Sequence, residues 1–294
     1  MTTRILVLGG TGMLGGMVAS VLSREPQFFV ESTQRARRDD RLFFNGLPGS
    51  PTIEKFLASH GRWDLIANCI GLTKPAIVEG DAASMEAARI INSELPHRLV
   101  EAAALTGTRV IHISTDGVFS GCRGPYDEGA IPDPIDLYGR SKLAGEIEGS
   151  NALTLRCSII GPDPLGRRGL FEWFRALPPG SRIPGFTDHL WNGVTTRQFA
   201  ELCRSIALSD SFDRLVAQSS IRHFCPNRAI SKFRLLEIFK EKLGSRLDVV
   251  PQESGTSRQR VLSSRWNDLL ESSGRNLDIA DAVAGMLEGE PTNG

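Results

Sequence analysis

Tyr138 and Lys142, four residues apart in Tyr138-Gly139-Arg140-Ser141-Lys142, have the types and spacing for acid–base chemistry on a carbonyl or an alcohol. Four residues is about one helical turn, so a helix puts both on one face. A phenol titrates near pH ~10 and is a poor acid–base catalyst at neutrality. An ammonium beside it favours the phenolate and brings the group toward the working range. The same ammonium can donate to ribose hydroxyls of a cofactor. Alone the pattern is weak, because most such pairs sit on a solvated helix face. Upstream, Ile111-His112-Ile113-Ser114-Thr115-Asp116 runs from an apolar strand into hydroxyls and a carboxylate. At the carboxyl edge of a parallel strand such residues face the ligand crevice, where Thr115 can hydrogen-bond a reacting carbonyl. The competing account makes Ser114 and Thr115 turn formers and Asp116 a cap. Taken in this order along the chain, Thr115, Tyr138 and Lys142 are the candidate catalytic residues.

A hydride donor is suggested at the amino terminus. Residues 8–16 read Leu-Gly-Gly-Thr-Gly-Met-Leu-Gly-Gly, between an apolar run and a helical pattern. Glycines at 9, 12 and 15, or at 10, 12 and 15, let the backbone approach a pyrophosphate and turn helix N–H groups toward it. Glycines also simply permit tight turns, but the strand–turn–helix context is the one the motif requires. Gly9, Thr11, Gly12, Met13, Leu14 and Gly15 are therefore the expected cradle. The strand end at Cys69-Ile70-Gly71 would line the cofactor from the other side. An NAD site usually offers an acid at the end of the second strand. Here Glu31 falls inside that strand, and Arg35, Arg37 and Arg38 follow it. A guanidinium such as that of Arg35 grips a 2′-phosphate with charge-assisted hydrogen bonds, so the expected cofactor is NADP, with NAD the alternative.

The elements that must position these residues are legible as short apolar runs separated by helical patterns. Strands are expected near 5–8, 28–30, 42–44, 65–70, 109–113 and 153–157. Helices are expected over 13–23, over 82–105 with a kink at Pro96, and over 137–148. Strands too apolar to alternate, separated by helices, give a parallel sheet covered on both faces and a doubly wound α/β fold of Rossmann type. The dinucleotide-binding domain would span 1–160 and receive segments around 190–225. Residues 161–189 and 226–294 would form a smaller C-terminal substrate-binding region, irregular through Gly185, with helices at 196–206 and 231–243 and a frayed tail over 288–294.

Composition narrows the class. The chain has 294 residues, 40% hydrophobic and 23% charged, with a formal net charge of zero. No overall field then draws it to nucleic acid or to an anionic membrane. The five cysteines, Cys69, Cys122, Cys157, Cys203 and Cys225, form no CxxC pair, so neither a disulfide framework nor a zinc site is suggested. The five histidines show no metal spacing. With no long apolar run and no signal-like segment, the expected location is the cytoplasm.

The glycine turn, Asn68-Cys69-Ile70-Gly71, Ile91-Asn92, Ser114-Thr115-Asp116 and above all Tyr138 through Glu146 resemble the extended short-chain dehydrogenase/reductase family, in its dTDP-4-dehydrorhamnose reductase-like branch. Residues 191–196 and Ile230-Ser231-Lys232 resemble C-terminal features of that branch. The resemblance implies reduction of a nucleotide-sugar keto group, with hydride passing from the nicotinamide while Tyr138 protonates the oxygen. It also implies that Thr115 orients that oxygen, that Lys142 holds the ribose and tunes Tyr138, and that two copies pair through the helices at 82–105 and 137–148. Gly117 departs from the pattern. Related dehydratases carry Glu there, so elimination is disfavoured, and rhamnose-pathway reductases carry an aromatic residue, which leaves the sugar open. Asn45-Gly46 stands where relatives often place an Asp over the adenine. Two alternatives share the scaffold: a nucleotide-sugar epimerase, and a non-catalytic dinucleotide-binding regulatory subunit. The intact Thr115, Tyr138 and Lys142 argue against the second.

Overall fold

The computed structural model describes residues 2–36, 42–163, 165–209, 211–271 and 277–288. Six strands follow one another from the amino terminus: β1 (Thr3–Leu8), β2 (Phe28–Gln34), β3 (Leu42–Phe43), β4 (Leu65–Asn68), β5 (Arg109–Ser114) and β6 (Ala152–Arg156). They lie in the order 3-2-1-4-5-6, and the strand Ile221–His223 is added outside β6. Every pairing in this sheet is parallel. Its inner strands are buried on both faces: Ile5, Leu6, Val7 and Leu8 are fully covered, as are Ile66, Val110, Ile111, Leu153 and Leu155. That is why they read as continuous apolar runs rather than alternating ones.

Helices cover both sides. α1 (Met13–Leu22) and α7 (Thr196–Ser209) enclose one core with Val18, Phe199 and Ile206, while α2 (Ile53–Ser59) and α4 (Leu95–Ala104) enclose the other with Phe56, Leu99 and Trp63. A third core joins α6 (Leu170–Arg175) and α9 (Lys232–Leu243), where Phe239 meets Phe171 and Phe174 edge-on at 5.2 and 5.6 Å. The outer strand Ile221–His223 is closed to further pairing by side chains. Glu128 accepts from the His223 amide and Ser219 donates to the Ile221 carbonyl, which blunts the edge.

Three expectations differ from the structure. The span 82–105 is not one helix kinked at Pro96. It is α3 (Ala82–Ala88), a π-helical segment Arg89–Glu94 and then α4, with Pro96 in the first turn of α4, where its missing N–H costs nothing. The helix expected over 137–148 is α5 (Leu137–Ala144) and stops at Gly145. A methyl group on Gly145 would stand 1.8 Å from the Asn92 carbonyl oxygen, so the close approach of the π-helical segment fixes both the glycine and the stop. The stretch 161–185 is not structureless, since it holds α6 and the start of the strand Arg182–Phe186, which pairs with Asp248–Gln252. Elements this short leave little periodicity to read.

Candidate active site

β1 is flanked by β2 and β4, so the chain reverses direction across the sheet beside it, and the crevice at that switch point opens at the carboxyl ends of β1 and β4. The glycine turn stands there. Gly9 has φ of 84° and donates its amide to Thr33 Oγ1 at 2.9 Å. A methyl on Gly10 would meet Ser32 Cβ at 2.4 Å, and one on Gly15 would meet the Gly9 carbonyl oxygen at 2.2 Å. These glycines let the turn fold onto itself. Gly12 differs: its nearest neighbour would be the Gly9 oxygen at 3.4 Å, so its outer side is open. Gly12 is also the amino-terminal cap of α1, and no side chain caps that helix. The first-turn N–H groups, including those of Met13 and Leu14, therefore face outward beside Thr11 without a partner in the helix, which fits a pyrophosphate.

Gly9 packs against the next strand end, since a methyl on it would stand 3.1 Å from Ile70 and 3.3 Å from Cys69. Burial pushes the Cys69 thiol up to about 12, so it is neutral. A methyl on Gly71 would lie 4.0 Å from Lys142 Nζ and 3.6 Å from Asn92 Oδ1. The glycine turn, the segment 69–71 and the α5 lysine thus form one continuous wall. Arg35 directly follows β2 and is exposed, and Glu31 lies within β2; Arg37 and Arg38 lie outside the described residues.

On the other side, Thr115 directly follows β5 and is buried. Its Oγ1 accepts from the Gly117 amide at 3.0 Å and donates to Asp116 at 3.2 Å, and a methyl on Gly117 would stand 3.2 Å from that oxygen and 3.4 Å from Tyr138 Cε1. Asp136 caps α5 by accepting from the Gly139 amide at 2.8 Å. Gly139 is needed because a methyl there would reach the Gly117 carbonyl oxygen at 2.3 Å. Thr115, Tyr138 and Lys142 are therefore brought together. Their electrostatics differ from the expectation. Burial pushes the Tyr138 phenol up to about 12, with Thr115 opposing the rise and the Asp116 carboxylate adding to it. Lys142 donates instead to the Ile113 carbonyl at 2.5 Å, and burial lowers it to about 8. The phenol is not drawn toward neutrality; it keeps its proton.

Asn92, in the π-helical segment, holds this wall together. It accepts from Leu72 N at 2.8 Å, donates to Leu72 O at 2.9 Å and donates to Ser141 Oγ at 3.0 Å. The loop beyond Gly71 is thereby tied to the helix carrying Tyr138 and Lys142.

The C-terminal half brings charged groups near Asp116. The strand His189–Trp191 pairs with Ile230–Ser231 and with Arg258–Arg260, setting Trp191 opposite both Ile230 and Arg260. Lys232 lies 4.7 Å over the Trp191 ring and is lowered to about 8 by burial, with the Asp116 carboxylate opposing the fall. Arg260 holds Asp116 and Asp136 down by its charge, while burial raises Asp116 overall. Trp191 Nε1 and Arg260 Nε are buried without a hydrogen-bond partner among the described residues. Sequence reasoning missed Arg260, which sits on a three-residue strand with no motif around it; Lys232 and Trp191 were marked only by resemblance. His189 hydrogen-bonds Ser254 at 2.8 Å.

Comparison with known proteins places these observations. A family model described as the RmlD substrate binding domain matches residues 3–259. Methionine adenosyltransferase 2 subunit beta from Xenopus tropicalis is 32% identical over 143 residues, covering 49% of this chain and 41% of that protein. A probable low-salt glycan biosynthesis reductase from Haloferax volcanii is 32% identical over 193 residues, covering 62% of this chain and 63% of its own length. The chain thus matches less than two thirds of the length of either relative. Among solved structures, dTDP-4-dehydrorhamnose reductase from Bacillus anthracis, in complex with NADP, superposes with a TM-score of 0.74 at 19% identity, covering 99% of this chain and 100% of that one.

Proposed function

This chain belongs to the RmlD substrate binding domain family, and from that premise we propose that it is an NADP-dependent reductase of a nucleotide-sugar keto group. The observation that carries the reading is that Thr115 and the Tyr138 ring both close around Gly117, with Tyr138 one helical turn from Lys142, on a wall continuous with the glycine turn. The cofactor would be held by Gly9, Thr11, Gly12, Met13, Leu14 and Gly15 at the turn, by Cys69, Ile70 and Gly71 opposite, by Arg35 at the 2′-phosphate, and by Tyr138 and Lys142. Bound NADPH supplies the hydride. Tyr138, protonated throughout the neutral range, delivers the proton to the carbonyl oxygen that Thr115 holds. Lys142, charged below pH of about 8, donates to the ribose. Residues 1–160 and about 190–225 serve as the dinucleotide-binding domain, and 161–189 with 226–294 as the substrate-binding region. Its donors at Trp191, Lys232 and Arg260 meet polar and anionic groups of the nucleotide sugar.

Two copies pair through α3 and α5, near which Val78, Met85 and Ile135 are exposed; mass by light scattering checks this. No helix among the described residues is long and apolar enough to cross a membrane. The five free cysteines suit a reducing compartment, and the cytoplasm is the proposed location.

The test is oxidation of NADPH against a panel of 4-keto nucleotide sugars by the parent protein and Tyr138→Phe. Loss of the phenol proton costs roughly 10²–10⁴-fold in kcat with NADPH still bound; equal turnover by the two proteins sinks the assignment. The likeness to methionine adenosyltransferase 2 subunit beta favours a second reading, a dinucleotide-binding partner subunit. NADPH binding with no oxidation across the whole panel would select it.

A further inference from the structure

Asn68 ends β4 directly before the wall segment 69–71, and the β4–β5 register sets it opposite His112. Both side chains are buried. Asn68 Oδ1 accepts from the Ile70 amide at 3.2 Å, and Asn68 Nδ2 lies 3.1 Å from His112 Nδ1. The polarity of this chain follows from its one fixed point, the Ile70 N–H, which can only donate. Asn68 must therefore turn its carbonyl oxygen toward that amide, which leaves its NH₂ group facing the ring. An NH₂ group also only donates, so His112 Nδ1 has to accept with its lone pair. The imidazole is then neutral and carries its proton on Nε2.

We propose that His112 is a positioning residue for the cofactor: as an Nδ1 acceptor it fixes the Asn68 amide, and through that amide the backbone of Ile70 in the 69–71 wall. The purpose given to that wall rests on the dinucleotide-binding part of the reading above; the hydrogen-bond chain does not. The segment is held from two sides. Asn68 and His112 hold it from the sheet, while Asn92 takes both the N–H and the carbonyl of Leu72. It also has little room to shift, since a methyl on Gly9 would stand 3.1 Å from Ile70 and 3.3 Å from Cys69. The opposite tautomer would set N–H against N–H, and an imidazolium would do the same. Burial holds the ring well below its ordinary value, and the charges of Lys142 on α5 and His97 on α4 act in the same direction. The Nε2–H that remains is buried without a partner among the described residues. An apolar ring of similar size would avoid that penalty, so what the imidazole contributes here is the Nδ1 lone pair.

The tautomer is read in protein labelled with ¹⁵N-histidine, from two-bond ¹H–¹⁵N correlations assigned by their loss in His112→Asn. His112 should show a proton on Nε2 and none on Nδ1 at neutral pH; a protonated Nδ1 overturns the proposal. Two variants then test the positioning. Leucine offers no acceptor, whereas asparagine returns an oxygen close to the place of Nδ1. His112→Leu should speed exchange of the Ile70 amide and raise the NADPH dissociation constant, each roughly 3- to 10-fold, as loss of one neutral hydrogen bond would. His112→Asn should recover most of both. Parental exchange and affinity in folded His112→Leu, or equal losses in the two variants, overturn the proposal. If His112→Leu does not fold, Asn68→Asp takes its place. It presents an acceptor to the ring, so His112 should take a proton on Nδ1, and a parental pattern there overturns the proposal. The expected tautomer and Ile70 exchange in a protein that binds no NADPH would support the coupling and remove the dinucleotide reading instead.

Discussion

The carboxyl ends of β5 and β6 and the small three-stranded sheet of the C-terminal half treat buried polar groups in opposite ways. On the first side most of the side chains around α5 are matched within the protein, His112 Nε2 on β5 being left without a partner among the described residues. Asn92 uses its amide oxygen and nitrogen on Leu72 and Ser141, Glu146 is bound by Ser114 and Arg156, and Lys142 is bound by Ile113. On the second side Trp191 Nε1 and Arg260 Nε lack partners, and Lys232 rests on an aromatic face. Matched networks in a low dielectric are rigid and costly to break. Donors kept buried without partners weaken the fold, and the interaction they are suited to is with a polar or anionic guest. On the proposed reading, the acid–base apparatus is fixed in advance and recognition is left for the substrate to complete.

That contrast breaks most readily at Arg156. Arg156→Met leaves the Glu146 carboxylate buried and unpaired, and should cost about 3–5 kcal/mol of stability. Urea unfolding measures it. A loss under about 1 kcal/mol would mean that the network on the β5–β6 side is slack, and the distinction between the two sides would fail.

Across the crevice the same kind of change should act on binding instead. Lys232→Met removes a desolvated cation that has no carboxylate clamp, so stability should stay within about 0.5 kcal/mol of the parent or rise. A lost hydrogen bond to a charged group is worth about 1.5–3 kcal/mol, so KM for the nucleotide sugar should increase roughly 10- to 100-fold. The pH dependence has a definite sign. Lys232 is charged below a value of about 8 and loses its proton as the pH rises through it. With NADPH saturating, the parent KM should therefore climb between pH of about 7 and 9, and that climb should be absent in Lys232→Met. A variant that loses several kcal/mol of stability while keeping its KM would reverse the roles of the two regions.

These two regions also mark what could be read from the chain alone. The β5–α5 side was legible because its signals are local: an apolar strand ending in hydroxyls, a tyrosine and a lysine one turn apart, and glycines between a strand and a helix. The π-helical segment Arg89–Glu94 was not, since inserting one residue into a turn leaves the apolar pattern helical on either side. Gly145 carried a stop signal in its identity, but the reason for it, the Asn92 carbonyl, lies more than fifty residues away. The Tyr138 phenol is pushed up, against expectation, by burial, which a sequence does not display, and the neighbouring cation turns to a backbone carbonyl. Arg260 was invisible for a similar reason. Its place opposite Trp191 comes from a pairing of short strands almost seventy residues apart, and a three-residue strand has too few positions to show a period.

The smallest effect is expected at the cofactor end, where Arg35 is exposed and has no ion pair among the described residues. An exposed guanidinium pairs weakly, because water screens the interaction and the long side chain must be ordered to make it. Arg35→Ala should therefore cost about 1 kcal/mol, roughly fivefold, in NADPH affinity. NADH has no 2′-phosphate and should bind as before, so the preference for NADPH narrows by the same factor. Titrating both dinucleotides into both proteins gives four dissociation constants whose cycle isolates the phosphate contact. Equal parent affinities for the two cofactors would remove the NADP assignment. A loss far above fivefold would mean that Arg35 closes over the phosphate and is shielded from water when the cofactor binds. The cofactor end would then behave like the substrate side, completed by its ligand.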